Sequence, residues 1–278
     1  MLTAPTIKKY TVTETKHKKI TLTAYIAGAL DSDKFNLERR ALLICPGGAY
    51  YDCANREGEY MATAYLAAGF NTFVLEYSAK SDGEDSKVFP GQLIEAAMAV
   101  KFIKENAKEL NVNPKYVFVN GYSAGGHLAA SLGILYNSEY VKEALGIPDD
   151  YVKPAGMVLS YPVITSGEYA NRWSIENLLG ERSSDEQALF EVSLEKRVDG
   201  NTVPAFIWHT RTDNAVPVQN SLLLATALAE HGVPFEMHIY PRGPHGLSLC
   251  TDVVGTPDNI ADKWFFESVR WMKSIEIE

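Results

Sequence analysis

The segment Val117-Phe118-Val119-Asn120-Gly121-Tyr122-Ser123-Ala124-Gly125-Gly126-His127-Leu128-Ala129-Ala130 restricts the fold more than any other part of the chain. A β-branched and aromatic run, suited to a strand, passes through Gly-x-Ser-x-Gly into an alanine-rich run suited to a helix. In such a turn the serine backbone is strained. Only residues without a Cβ at Gly121 and Gly125 let strand and helix approach closely enough to project the hydroxyl. The helix begins at the serine, so its free N–H groups and dipole face the place where negative charge would develop. The bare pentapeptide arises by chance in glycine-containing loops; strand before and helix after mark Ser123 as a candidate nucleophile on an elbow.

A serine hydroxyl is a poor nucleophile until a base takes its proton, so the elbow predicts an acid and then a histidine further along the chain. Both are found. The strand-like residues 205–209 lead through Thr210-Arg211-Thr212 to Asp213, and residues 235–240 lead through Pro241-Arg242-Gly243-Pro244 to His245. Each lies on a loop after a strand C-terminus, the sheet edge where open α/β folds bind ligands. Asp213 as a helix cap and His245 as an exposed loop histidine are the plain alternatives. A fourth segment, Cys45-Pro46-Gly47-Gly48-Ala49-Tyr50, follows the third strand. Its glycines allow backbone N–H groups to turn toward a bound carbonyl, which makes Gly48 and Ala49, with Ala124, candidate oxyanion donors. A simple glycine turn would read the same way.

The wider pattern agrees with a mostly parallel sheet. Strand candidates fall at residues 9–13, 20–26, 41–45, 71–75, 116–120, 156–160, 205–209 and 235–240. Between most of them lie helix candidates at 57–68, 90–110, 124–135 and 218–231, with a last one at 260–274, as crossover units require. The first two strands leave no room for a helix and should pair as a hairpin at the sheet edge. Asn113-Pro114 marks a break before the fifth strand. Residues 163–202 are polar and interrupt the alternation; they read as an insertion with short helices near 174–179 and 185–190. No internal repeat or linker divides the chain, so residues 1–278 are expected to form one domain.

Other residues carry less weight. His127 lies one helical turn beyond Ser123 and reads as structural, and His209 as a supporting residue behind the site. Tyr50, Tyr122 and Trp173 are candidate substrate-binding walls, alongside Tyr51 and Tyr161. The six histidines are dispersed with no metal-ligand spacing, so neither a metal nor a cofactor is expected. The three cysteines, Cys45, Cys53 and Cys250, are too few for a disulfide framework.

A net charge of −9 argues against a nucleic-acid partner, which depends on a basic surface. The cluster Lys8, Lys9, Lys16, Lys18 and Lys19 reads as a solvated hairpin edge instead. No run approaches the ~20 apolar residues of a membrane span, and the N-terminus lacks a secretory pattern, so a cytoplasmic location is the expectation. Homo-oligomers are left open.

Together, Pro46-Gly47-Gly48-Ala49-Tyr50, Gly121 to Leu128, Asp213 before Val216-Pro217, and His245-Gly246 resemble the bacterial acetyl-esterase and carbohydrate (xylan) esterase branch of the α/β-hydrolases, relatives of hormone-sensitive-lipase-type esterases. The resemblance implies an α/β-hydrolase fold with about eight strands, helices on both faces and a short lid at 163–202 after strand 6. It also implies a Ser123-Asp213-His245 triad that hydrolyses small-molecule carboxylic esters, with short acyl groups on sugars or alcohols and no cofactor. Two departures weaken a lipase reading: Pro46-Gly47-Gly48-Ala49 stands where hormone-sensitive-lipase relatives have His-Gly-Gly-Gly, and their long N-terminal cap is missing. On this reading Trp173 closes the acyl side of a small pocket. A serine peptidase of prolyl-oligopeptidase type shares the elbow but needs a propeller, of which no blade repeat exists here. A catalytically silent hydrolase fold used for binding is the rival from another class, and it has no need to keep all three triad residues.

Overall fold

Eight runs rich in β-branched, aromatic and aliphatic residues form the strands in the computed structural model, which describes residues 4–14, 18–28, 38–83, 88–254, 256–258 and 260–277. They are β1 (Thr6–Glu14), β2 (Lys19–Ile26), β3 (Arg39–Cys45), β4 (Asn71–Glu76), β5 (Val112–Tyr122), β6 (Met157–Ser160), β7 (Ala205–Thr210) and β8 (Phe235–Tyr240). The strands join in one sheet of order β1-β2-β4-β3-β5-β6-β7-β8. The hairpin β1–β2 and the pair β2–β4 are antiparallel, and every later pair is parallel. The expected edge hairpin and mostly parallel sheet are therefore present.

The helices are α1 (Glu59–Ala67), α2 (Gly91–Glu105), α3 (Ala124–Leu135), α4 (Glu139–Leu145), α5 (Arg172–Leu179), α6 (Glu186–Val192), α7 (Gln219–Glu230) and α8 (Lys263–Ser274). Alternation along the central strands sends side chains to two cores. Ala41, Leu43 and Cys45 of β3 face one that holds Leu93 of α2, Leu128 of α3 and Leu224 of α7. Leu42 and Ile44 face the other, with Met61 and Tyr65 of α1 and Trp264 and Trp271 of α8. Helices thus cover both faces, as a buried parallel sheet requires. Every residue of α3 is buried, so this helix is apolar all round rather than amphipathic.

Several boundaries differ from expectation for identifiable reasons. β5 begins at Val112 rather than after Pro114: Arg39 pairs with Val112 and Ala41 with Val117, and the extra residues on β5, Pro114 among them, are absorbed in a bulge. α4 has no counterpart in the sequence reading, although Ser138 and a left-handed Gly146 bracket it. α8 starts later than expected because Asp258 first accepts from the Ile260 and Ala261 N–H groups in a turn. Residues 163–202 carry α5 and α6. Most of their apolar side chains, including Ile175, Leu178, Val192 and Leu194, are spent on the core, while Trp173 and Phe190 are exposed.

Among the described residues no helix is long and apolar enough to cross a membrane, and the three cysteines are free. Of the basic cluster, Lys8 and Lys9 reach Glu109 and Glu76; Lys16 lies outside the described residues.

Candidate active site

The strand order reverses around β3, whose neighbours are β4 and β5, so the loops after β3 and β5 leave adjacent strands and meet at one crevice. Ser123, between β5 and α3, has φ 54° and ψ −120°, a backbone that L-residues rarely adopt and that costs about 1–3 kcal/mol. Three main-chain bonds hold it there: its N–H donates to Ser160 (3.0 Å), and its carbonyl accepts from His127 (3.1 Å) and Val163 (3.0 Å). A Cβ on Gly121 would collide with the Gly125 carbonyl, and one on Gly125 with those of Cys45 and Pro46. Strand, helix and the loop after β3 are thus in backbone contact around the serine.

The structure brings the three expected side chains together. Ser123 Oγ lies 2.8 Å from His245 Nε2, and His245 Nδ1 lies 2.7 Å from Asp213 Oδ2. An ionised carboxylate only accepts, so Nδ1 carries the ring proton and Nε2 is left to accept from the serine hydroxyl. The Asp213 side chain is almost fully buried, and His245 is 17% exposed. Burial pushes the Asp213 carboxyl up, but the bonds from His209 and His245 outweigh it and hold the group well below the usual carboxylate range. Its other oxygen accepts from Ala215 and Val216 N–H, both at 2.9 Å, so the helix-capping reading of Asp213 and the site reading describe the same residue.

The loop after β3 is built so that its carbonyls are used and two of its N–H groups are not. Pro46 O accepts from Tyr77 OH (2.7 Å), Gly47 O from Ala54 N–H (2.8 Å), Gly48 O from Tyr51 N–H (2.9 Å) and Ala49 O from Asn177 Nδ2 (3.0 Å). The N–H groups of Gly48 and Ala49 donate to none of the described residues. Gly48, Ala49 and Tyr50 all have positive φ (126°, 56° and 57°), which bends the loop out of any regular ladder. Ala124 opens α3 and has no acceptor within the helix.

Two of the three candidate wall residues are corrected by the structure, Tyr50 and Tyr122, while Trp173 is exposed. Tyr50 is buried, and its hydroxyl donates to His127 Nδ1 at 2.9 Å. That direction follows because His127 Nε2 faces the Val192 carbonyl and must carry the proton. His127 is accordingly structural, and burial lowers its pKa to about 4. Tyr122 points into the core on the other side of the sheet, beside Tyr161 and Trp264. Trp173 is 56% exposed and leans on the exposed Tyr51 with ring centroids 5.7 Å apart. The helix carrying Trp173 reaches the loop through Asn177, one turn further on.

Two further residues adjoin these groups, one expected from the sequence as a support and one not. His209, placed only as a support, brings Nε2 to 3.3 Å from Asp213 Oδ2 and 2.9 Å from Val216 O. Glu57, at the start of α1's approach, is fully buried, accepting from Gly47 N–H and Tyr161 OH. Nothing in its sequence context distinguishes it from a surface glutamate. Among the described residues one trio could offer metal ligands, Glu236, His238 and Glu267, and Arg270 is ion-paired with both of its carboxylates.

Comparison with known proteins gives consistent relatives. The BD-FAE family model matches residues 33–228. Endo-1,4-beta-xylanase B of Butyrivibrio fibrisolvens is 40% identical over 224 residues, covering 78% of this chain and 34% of its own length. Acetylxylan esterase of Xylanibacter ruminicola is 28% identical over 277 residues, covering 98% and 52%. The chain therefore spans only about a third to a half of these curated relatives. Among solved structures, an acetyl ester-xyloside bifunctional hydrolase from Caldicellulosiruptor lactoaceticus superimposes with a TM-score of 0.81 at 33% identity, with 96% of each chain covered. A carboxylesterase from Lactobacillus plantarum WCFS1 superimposes with 0.83 at 25% identity, covering 96% of this chain and 97% of that one.

Proposed function

This chain belongs to the BD-FAE family of α/β-hydrolases, and we propose that it is a serine carboxylesterase that removes short acyl groups, acetyl foremost, from carbohydrate esters. The observation that carries the proposal is the hydrogen-bonded series Ser123, His245, Asp213 beside a loop whose carbonyls are occupied and whose N–H groups at Gly48 and Ala49 are not.

In the proposed reaction Ser123 Oγ attacks the ester carbonyl while His245 Nε2 takes its proton. Asp213 keeps the imidazole in the required tautomer and stabilises the imidazolium. The N–H groups of Gly48, Ala49 and Ala124 receive the developing oxyanion, each on a scale of roughly 2.7–4 kcal/mol. His245 then protonates the leaving alcohol, and water, activated by the same imidazole, releases the acid. The carbohydrate part of the proposal draws on relatives named an acetylxylan esterase and an acetyl ester-xyloside bifunctional hydrolase. The exposed pair Tyr51 and Trp173, next to the loop of Gly48 and Ala49, offers ring faces suited to the C–H face of a sugar. Since residues 163–202 bury most of their apolar side chains in the core, Trp173 and Phe190 aside, few remain to line a long acyl groove.

A fluorophosphonate probe should label the native protein and leave Ser123→Ala unlabelled. Acetylated xylo-oligosaccharides and p-nitrophenyl acetate should be turned over, octanoyl esters poorly, and a peptide amide not at all. Labelling that persists in Ser123→Ala, or amide cleavage faster than ester cleavage, would overturn the reading.

A further inference from the structure

A fully buried carboxylate is costly unless its oxygens are occupied, by several kcal/mol for an unpaired ion. Glu57 is fully buried beside Gly47, which abuts the serine, and both of its oxygens accept from groups around the site. Oε2 accepts from the Gly47 N–H at 2.9 Å, the residue immediately before the two free N–H groups. A Cβ at Gly47 would meet this oxygen and would come within 3.1 Å of Ser123 Cβ, so glycine, carboxylate and nucleophile share one tightly filled space. Oε1 accepts from Tyr161 OH at 2.7 Å.

Tyr161 extends the connection to the histidine. Its hydroxyl accepts from the Ser248 N–H at 3.0 Å, and its ring stands edge-on to His245 with centroids 5.0 Å apart. The neighbouring residue closes the circuit: Ser248 Oγ donates to the Arg56 carbonyl (2.9 Å), and the Arg56 guanidinium packs where a side chain on Gly246 would sit. The loop of residues 46–49 and the loop of residues 245–248 thus meet on the two residues Arg56 and Glu57.

We propose that Glu57 is a positioning residue, which with Tyr161 fixes the oxyanion-binding loop and the His245 loop in register with each other. The inference rests on the serine-esterase reading. It adds a requirement that the Ser123-His245-Asp213 series does not contain: the donors and the base must be held to one frame. Removing the Oε2 bond frees the Gly47 N–H to turn, and Gly48 and Ala49 turn with it; removing the Oε1 bond unties the carboxylate from Tyr161 and so from the His245 loop. Displacement of about 1 Å at such a point is enough for roughly 100-fold in rate.

The test uses Glu57→Gln, which keeps volume but replaces one acceptor with an amide NH2, and Tyr161→Phe, which deletes only the hydroxyl. Steady-state kinetics on short esters, inhibition by a phenylboronic acid that forms a tetrahedral adduct on serine, and thermal melting are measured for each. The expected result for Glu57→Gln is a kcat lower by about 10- to 100-fold with KM changed less than about 3-fold, and a boronate Ki raised by a similar factor, since the adduct places an oxygen among the same donors. Tyr161→Phe should fall in the same direction, and the double variant should be no worse than Glu57→Gln. A purely structural carboxylate would lower the melting temperature while folded enzyme kept its native kcat and Ki, and that result would overturn the inference while leaving the esterase reading standing. A native protein inert to both esters and boronate would overturn both.

Discussion

His209 holds its Nε2 3.3 Å from Asp213 Oδ2, the same oxygen that His245 Nδ1 meets at 2.7 Å. Two imidazoles therefore converge on one lone-pair region of a buried carboxylate. The Val216 carbonyl at 2.9 Å fixes the His209 proton on Nε2, and Ser221 Oγ lies 2.8 Å from its Nδ1. His209 does not reach the serine; it limits how far Asp213 can swing.

If that is its role, His209→Phe lowers kcat/KM for short esters by about 10-fold, against about 10^3- to 10^4-fold for Asp213→Asn, which inverts the His245 tautomer. Combined, the two changes should cost no more than Asp213→Asn alone, because both act through one oxygen. Kinetics of the three variants decide it; independent, multiplying losses would show that His209 acts elsewhere.

Ser123 is held at φ 54° by its surroundings, a conformation that glycine adopts freely and alanine does not. Ser123→Gly and Ser123→Ala should both abolish turnover, yet the glycine variant should be the more stable by about 1 kcal/mol, or roughly 2–4 °C in melting temperature. Equal melting temperatures, or a more stable alanine variant, would mean that the elbow stores no strain.

Burial keeps His127 neutral in the folded protein down to about pH 4, whereas an unfolded histidine takes up a proton below about pH 6.5. Between those values the unfolded chain binds the extra proton, so stability is complete above pH 6.5 and is lost as pH falls toward 4, by roughly 3 kcal/mol from this group. Thermal melts across that window should fall more steeply for the native protein than for His127→Gln. Parallel curves for the two would assign the acid sensitivity to other groups.

Tyr51 and Trp173 are the exposed aromatic surface nearest the loop of Gly48 and Ala49 along the chain and through Asn177. Trp173→Ala and Tyr51→Ala are expected to raise KM for acetylated xylo-oligosaccharides by roughly 3- to 10-fold, the scale of one aromatic contact. Turnover of vinyl acetate, whose alcohol part is too small to reach the pair, should be unchanged. A shift in acyl-length preference instead would return Trp173 to the acyl side.

The parts of this protein that were legible in its sequence are those enforced by backbone geometry and local period. Strands at 71–75 and 235–240 announce themselves by residue type, and α3 by an alanine-rich run after an obligatory Gly-x-Ser-x-Gly turn. Asp213 and His245 were legible because they follow strand ends in the order that the elbow demands. His209 was legible as a support, near a strand end four residues before Asp213; Glu57 was not, since what sets it apart is the partner found across the sheet edge, and contacts between residues 57 and 161 have no local periodicity. The tyrosines failed for a related reason. Whether Tyr50 or Tyr122 faces a crevice or a core depends on the exact twist of one residue, and here a histidine partner and the far face of the sheet took them.

The hairpin edge carries a consequence for how copies of this chain behave at high concentration. β1 leaves one side of its backbone without a strand partner among the described residues, the arrangement that invites intermolecular sheet growth. Lys8 and Lys9 stand on alternate faces of that strand, each drawn to a carboxylate, and the ladder slips register between Thr11 and Thr13. An incoming strand would have to dehydrate two ammonium groups and match an irregular spacing of donors and acceptors. Continuation of the sheet from this edge into a neighbouring chain is thereby disfavoured.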